Sequence, residues 1–320
     1  MKSVKVFIEQ RQIMIYLLSL LFAAVTGLVL PNMTSLFEPV ISIVLSLLMF
    51  FMFSQIPFFK QKNKLISLKF LVALVFSNFI MIPIFVFCLI YIFHISNPGI
   101  LIGLYLVLLA PCIDYVIVFT ALGKGNAQYM LMSTPLLLLF QIVLLPCYLT
   151  IFLKNINTPT IDIHLFIHTF IIYILIPLAL AMILQLFSRK NSIANKCLHI
   201  TNWFPELTMA LVLFTIVSSQ IHKITANLSI LYTIVPIYII YLLIAPFIGY
   251  LSGKVFSLET TTIRTLAFST GTRNALVVLP ITFALPDNIS HIVTIVIVTQ
   301  TLVELIGEIF YIKIIPRLIH

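Results

Sequence analysis

Charged residues are scarce in this chain: 18 Lys and Arg and 9 Asp and Glu in 320 residues. A soluble domain of that length carries roughly 80. So few charges cannot wet a globular surface, which excludes a soluble enzyme. Cysteine is scarce too. Cys88, Cys112, Cys147 and Cys197 show no C-x-x-C pair and no metal-ligand spacing, so neither a disulfide framework nor a metal centre is expected. There is no H-E-x-x-H and no phosphate-binding glycine loop, so an intramembrane metalloprotease and an ATP-driven pump are both excluded as readings of this chain. Asp162 and Asp287 fall between apolar runs, which leaves one intramembrane aspartate, Asp114, where an aspartyl protease needs two. The net charge of +9 is spread over short loops and does not form the single basic face of a nucleic-acid binder. No cofactor is expected.

What the chain does have is apolar length. About 62% of its residues are hydrophobic, and its mean hydropathy is +1.20. A helical span needs roughly 20 such residues, and ten runs can be drawn: 13–30, 37–57, 68–93, 100–121, 127–153, 164–187, 203–220, 228–251, 263–285 and 289–312. They are too long, and alternate too little, for barrel strands. The expected fold is therefore an all-α membrane bundle of ten spans. Lys and Arg crowd the odd-numbered side of this scheme: Lys60, Lys62, Lys64 and Lys69, for example, follow span 2, whereas Lys154 and Lys223 stand alone on the other side. The positive-inside rule then puts both termini in the cytoplasm. Ten spans divide into five and five, residues 1–160 and 161–320, and an odd number per half inverts the second half relative to the first.

Two runs are unfit for continuous helices. Span 4 contains Leu109-Ala110-Pro111-Cys112-Ile113-Asp114, and span 9 contains Phe268-Ser269-Thr270-Gly271-Thr272-Arg273-Asn274. Interruptions at corresponding places in two halves point to a midplane binding site. Asp114 and Arg273 are ionisable residues within spans, where isolated charge is costly, and the expectation is that they neutralise each other at a crossing. Cys112 offers a soft thiolate, and Ser269, Thr270 and Asn274 offer hydroxyl and amide groups to a polar solute. Glu304 and Glu308 share a face of span 10. Glu304, the deeper, is expected like Asp114 to be a candidate for carrying the coupling proton, and Glu308 to sit near the cytoplasmic end beside Lys313. Asn78 and Gln141 read as polar glue between helices. His164 and His168 read as residues of the outer interface.

The stretch GLYLVLLAPCIDYVIVFTALGKGNAQYMLMSTPLLLLFQIVLLP resembles spans 4 to 5 of the arsenical-resistance arsenite permeases, within the bile acid:sodium symporter superfamily. LAFSTGTRNALVVLPITFALP looks like that superfamily's second crossing helix, and VTQTLVELIGEIFYIKIIPR like its last span. The resemblance implies two inverted five-helix repeats forming a core and a panel domain, with spans 4 and 9 crossing at the substrate site. It also implies an essential cysteine at Cys112 and a functional glutamate at Glu304. Two departures stand out. The sodium-coupled members carry E-x-G-x-Q-N, whose Glu and Gln ligate sodium, where this chain has Ser269 and Arg273. Leu276 stands where the arsenite permeases have a glutamate.

The expectation from these residues is a secondary transporter of the plasma membrane, exporting arsenite, antimonite or a related trivalent metalloid, with a proton as coupling ion. Its substrate residues would be Cys112, Asp114, Ser269, Thr270, Arg273 and Asn274, and its proton-coupling residues Asp114 and Glu304. The alternative is transport of an organic anion, with Arg273 as the partner of its acid group. Besides solute and coupling ion, only the lipid bilayer is expected as a partner.

Overall fold

The computed structural model describes residues 2–30, 38–56, 58, 66–113, 115–153, 168–201, 203–226 and 228–320. It is helical, and among these residues the only extended pairing is one isolated bridge. In chain order the helices are α1 (Lys2–Val29), α2 (Glu38–Gln55), α3 (Leu68–Phe76), α4 (Ile82–Ile92), α5 (Pro98–Leu108), α6 (Val116–Leu122) and α7 (Ala127–Leu153). They continue with α8 (Ile176–Ser188), α9 (Ser192–Thr201), α10 (Pro205–Ala226), α11 (Leu228–Val255), α12 (Thr260–Gly271), α13 (Ala275–Val278) and α14 (Asp287–Leu318).

Five helical segments among the described residues are long and apolar enough to cross a membrane. They are Leu68–Ile92, Ala127–Leu153, His168–Ser188, Leu228–Val255 and Ile289–Leu318. A pair bent by 44°, Ser192–Thr201 and Pro205–Ser219, makes a sixth when counted as one broken span. Met14–Val29, Val40–Gln55 and Pro98–Leu108 are shorter apolar helices. Large apolar side chains stay exposed on the long segments, such as Leu243 and Phe247 on α11 and Phe310 on α14, as lipid contact requires. The chain is an all-α, multi-pass membrane protein.

It divides into two compact units, each drawn from both halves of the sequence. The first comprises residues 1–59, 161–228 and 280–285; the second comprises 60–160, 229–279 and 286–320. In the first unit α1 lies against α10, where the Ser19 hydroxyl donates to Ala210 O at 2.5 Å. Gly27 allows this approach, since a Cβ there would lie 2.6 Å from Ser218 O. The Gln185 amide on α8 donates to Ser54 O at 3.1 Å and Ile56 O at 2.8 Å, satisfying carbonyls that α2 leaves open at its end.

The second unit holds every broken or distorted element that bears on the site. Between α3 and α4 the helix widens into a π turn, Ser77–Met81. Pro83 is the cause, because it has no N–H for the carbonyl of Phe79. The Tyr148 hydroxyl donates to that carbonyl instead. α5 starts at Asn97, whose side chain accepts from Gly99 N at 2.9 Å and Ile100 N at 3.2 Å, with Pro98 in the first helical position. Gly99 and Gly103 let α5 close on Ile292 and Val296 of α14.

Candidate functional site

α5 stops at Leu108 and α12 at Gly271, and the two freed backbones meet. Cys112 N donates to Thr272 O at 3.2 Å, and Asn274 N donates to Ala110 O at 2.8 Å. These two bonds flank an antiparallel bridge between Pro111 and Arg273. Such a pair does not bond to itself, since its N–H and C=O groups point away from the partner strand. Pro111 therefore loses nothing by lacking an N–H, while the peptide groups of Arg273 become available to a third element. Arg273 N donates to Glu304 Oε2 of α14 at 2.8 Å, and Arg273 O accepts from the Tyr115 hydroxyl at 3.0 Å. The two broken segments thus meet in a two-rung ladder pinned to α14.

The Arg273 side chain is wholly buried. Its Nη2 donates to Asn78 Oδ1 at 2.8 Å, Ser269 O at 2.7 Å and Thr270 O at 2.9 Å. The two carbonyls belong to the last turn of α12, the negative end of its dipole. Asn78 Nδ2 donates to Leu74 O and to Ser269 Oγ, each at 3.1 Å, which turns the amide oxygen toward the guanidinium. The Tyr241 ring lies 5.8 Å from the guanidinium carbon, and its hydroxyl donates to Thr270 O at 2.9 Å. Nε and Nη1 of Arg273 have no hydrogen-bond partner among the described residues.

Glu304 is buried and held from three sides. Oε1 accepts from the Tyr115 hydroxyl at 2.7 Å, and Oε2 accepts from Arg273 N and from the Gln300 amide one turn earlier. Glu308, one turn further along α14, is also wholly buried. Its Oε1 accepts from the Thr272 hydroxyl, while Oε2 has no partner among the described residues. Glu308 thus departs from its expected place beside Lys313, because α14 continues past the crossover with the same face turned inward.

The structure brings Cys112, Ser269, Thr270, Arg273, Asn274 and Glu304 together around one crossing. Their roles differ. Cys112 is buried on the 110–112 strand. The Thr270 hydroxyl donates back to Leu266 O and Ala267 O, so its contribution to the site is its carbonyl. Asn274 Oδ1 caps α13 through Val277 N at 3.2 Å, and its Nδ2 has no partner among the described residues. Asp114, and with it the expected pairing to Arg273, lies outside the described residues. His164 does too; His168 is exposed. Sequence reasoning passed over Tyr115, Tyr241 and Gln300, and took Asn78 for glue. Gln300 was findable, standing four residues before Glu304 on the same helix face. Gln141 is buried with both amide atoms unpartnered among the described residues.

Broken helices that meet in a buried polar centre are a pattern found in membrane transporters. The chain belongs to the sodium bile acid symporter family, whose model matches residues 42–227. That match supports the superfamily part of the resemblance, and supplies no support for the arsenite permeases in particular. No curated protein sequence matches the chain.

Proposed function

We propose that the protein is an ion-coupled secondary transporter of an organic anion, binding the acid group of its cargo at the crossover. The observation that carries this reading is Arg273, a buried cation whose Nε and Nη1 have no partner among the described residues. An unpaired donor within a span is costly unless something meets it in the working cycle. Asn274 Nδ2 adds a neutral donor from the same strand. Membership of a family of sodium bile acid symporters agrees with an amphipathic carboxylate or sulfonate as cargo. In this reading the protein has ten spans in two inverted repeats, 1–160 and 161–320, and lies in the plasma membrane with both termini cytoplasmic. The coupling ion is a proton, with Glu304 and Asp114 as its carriers and Glu308 one turn from Glu304 along α14.

Proteoliposomes containing the full chain test the cargo. Under an imposed pH gradient, a radiolabelled bile acid is expected to cross faster than through empty liposomes, and Arg273→Gln to abolish the difference. Arsenite crossing instead, with loss of transport in Cys112→Ser, would reverse the reading in favour of a metalloid, since Cys112 lies buried on the same crossing strand.

A further inference from the structure

The hydrogen bonds of Arg273 are distributed unlike those of an ordinary buried arginine. A guanidinium has five N–H donors in a planar fork, normally spread over several acceptors. Here one nitrogen, Nη2, with two hydrogens, faces three oxygens at 2.7–2.9 Å, while Nε and Nη1 face none among the described residues. Acceptors outnumber hydrogens at a single point. That is how oxygens surround a compact cation. Two of them are carbonyls at the broken end of α12, the kind of group that coordinates monovalent cations in interrupted transporter helices. The third, Asn78 Oδ1, is oriented by the other half of its own amide.

From this arrangement we infer that Asn78 Oδ1, Ser269 O and Thr270 O form a monovalent-cation site which the protein fills with its own side chain. Arg273 is a tethered cation. It holds π turn and crossover together as a bound ion would, but it cannot dissociate. Two consequences follow. The wild-type protein has no use for sodium at this point, and any coupling ion must be held by other groups. Removing the guanidinium exposes an oxygen cage that sodium can enter, so residue 273 decides ion specificity. The inference rests on the crossover being the transport site only for its second half, since occupation of the cage can be measured without any cargo.

Thermal unfolding of the purified full chain in detergent is the test, comparing sodium chloride with choline chloride at equal ionic strength. The variants are Arg273→Ala, Arg273→Gln and the double change Ser269→Glu with Arg273→Gln, which supplies a carboxylate and an amide in place of the guanidinium. A ligand that binds only the folded state raises the midpoint as its concentration passes its dissociation constant. The wild type is expected to melt at the same temperature in both salts. At least one variant is expected to gain several degrees in sodium, saturably, from a lower starting point in choline. Sodium stabilising the wild type as much as the variants would overturn the inference. So would folded variants indifferent to sodium, or failure of all three to fold in either salt. Absence of bile acid transport, by contrast, would count against the proposed cargo and leave these midpoints as they are.

Discussion

At the scale of single residues, the site works by using up hydrogens. The Tyr115 hydroxyl has one proton and two neighbours, Arg273 O and Glu304 Oε1. Thr272 likewise stands between Phe268 O at 2.7 Å and Glu308 Oε1. Each carboxyl group therefore leans on a hydroxyl that a backbone carbonyl also claims, an arrangement that accommodates a proton arriving on the acid. Tyr115→Phe strips Glu304 of one donor and leaves a buried carboxyl oxygen short, at about 1–3 kcal/mol. Tyr238→Phe removes only a bond to the helical carbonyl of Val296, formed at 2.8 Å, and is expected to lose roughly 0.5–1.5 kcal/mol. Thermal unfolding of the two variants side by side is expected to place Tyr115→Phe lower. Equal midpoints would mean that Tyr115 merely packs.

At the scale of elements, breaks are specified by backbone chemistry and kept open by space. Proline ends α5, while α12 ends at a residue where nothing larger than glycine fits. A Cβ on Gly271 would lie 2.6 Å from the Tyr311 ring and 3.0 Å from the Pro246 ring. Its backbone is not left-handed, so steric room and not conformational freedom sets the requirement. Helix propensity alone would favour alanine here by roughly 1 kcal/mol, whereas overpacking a tight core costs about 1–3 kcal/mol. Gly271→Ala is therefore expected to lower the melting temperature, with partial recovery on the Tyr311→Leu background. A melting temperature raised by alanine would show that the neighbouring rings yield freely. The helix breaks were legible at this scale. Pro111 and the run from Ser269 to Asn274 interrupt otherwise unbroken apolar sequence, and the structure breaks the helices there.

At the scale of the whole molecule, the two units each take residues from both halves of the chain, so no cut at one point in the sequence separates them. The proposed topology is open to direct measurement. With Cys88, Cys147 and Cys197, all exposed, first changed to serine, single cysteines at Asn32, Asn63 and Asn191 report sidedness to an impermeant thiol reagent. Asn32 is expected to label in intact cells, and the other two only after permeabilisation. The opposite pattern would invert the orientation. Sequence by itself determined the class of the protein, because hydropathy and scarce charge are summed along a chain and need no coordinates. It also marked Arg273 and Glu304, since an ionisable residue in an apolar run stands out against its neighbours. Only the tertiary structure decided what those residues meet. Asn78 reaches Arg273 from 195 positions away, and Glu304 binds not the guanidinium but the main-chain N–H of the same residue. That N–H is available because Arg273 faces Pro111 at the non-bonded position of the bridge, and the register of two crossing strands leaves no trace in hydropathy.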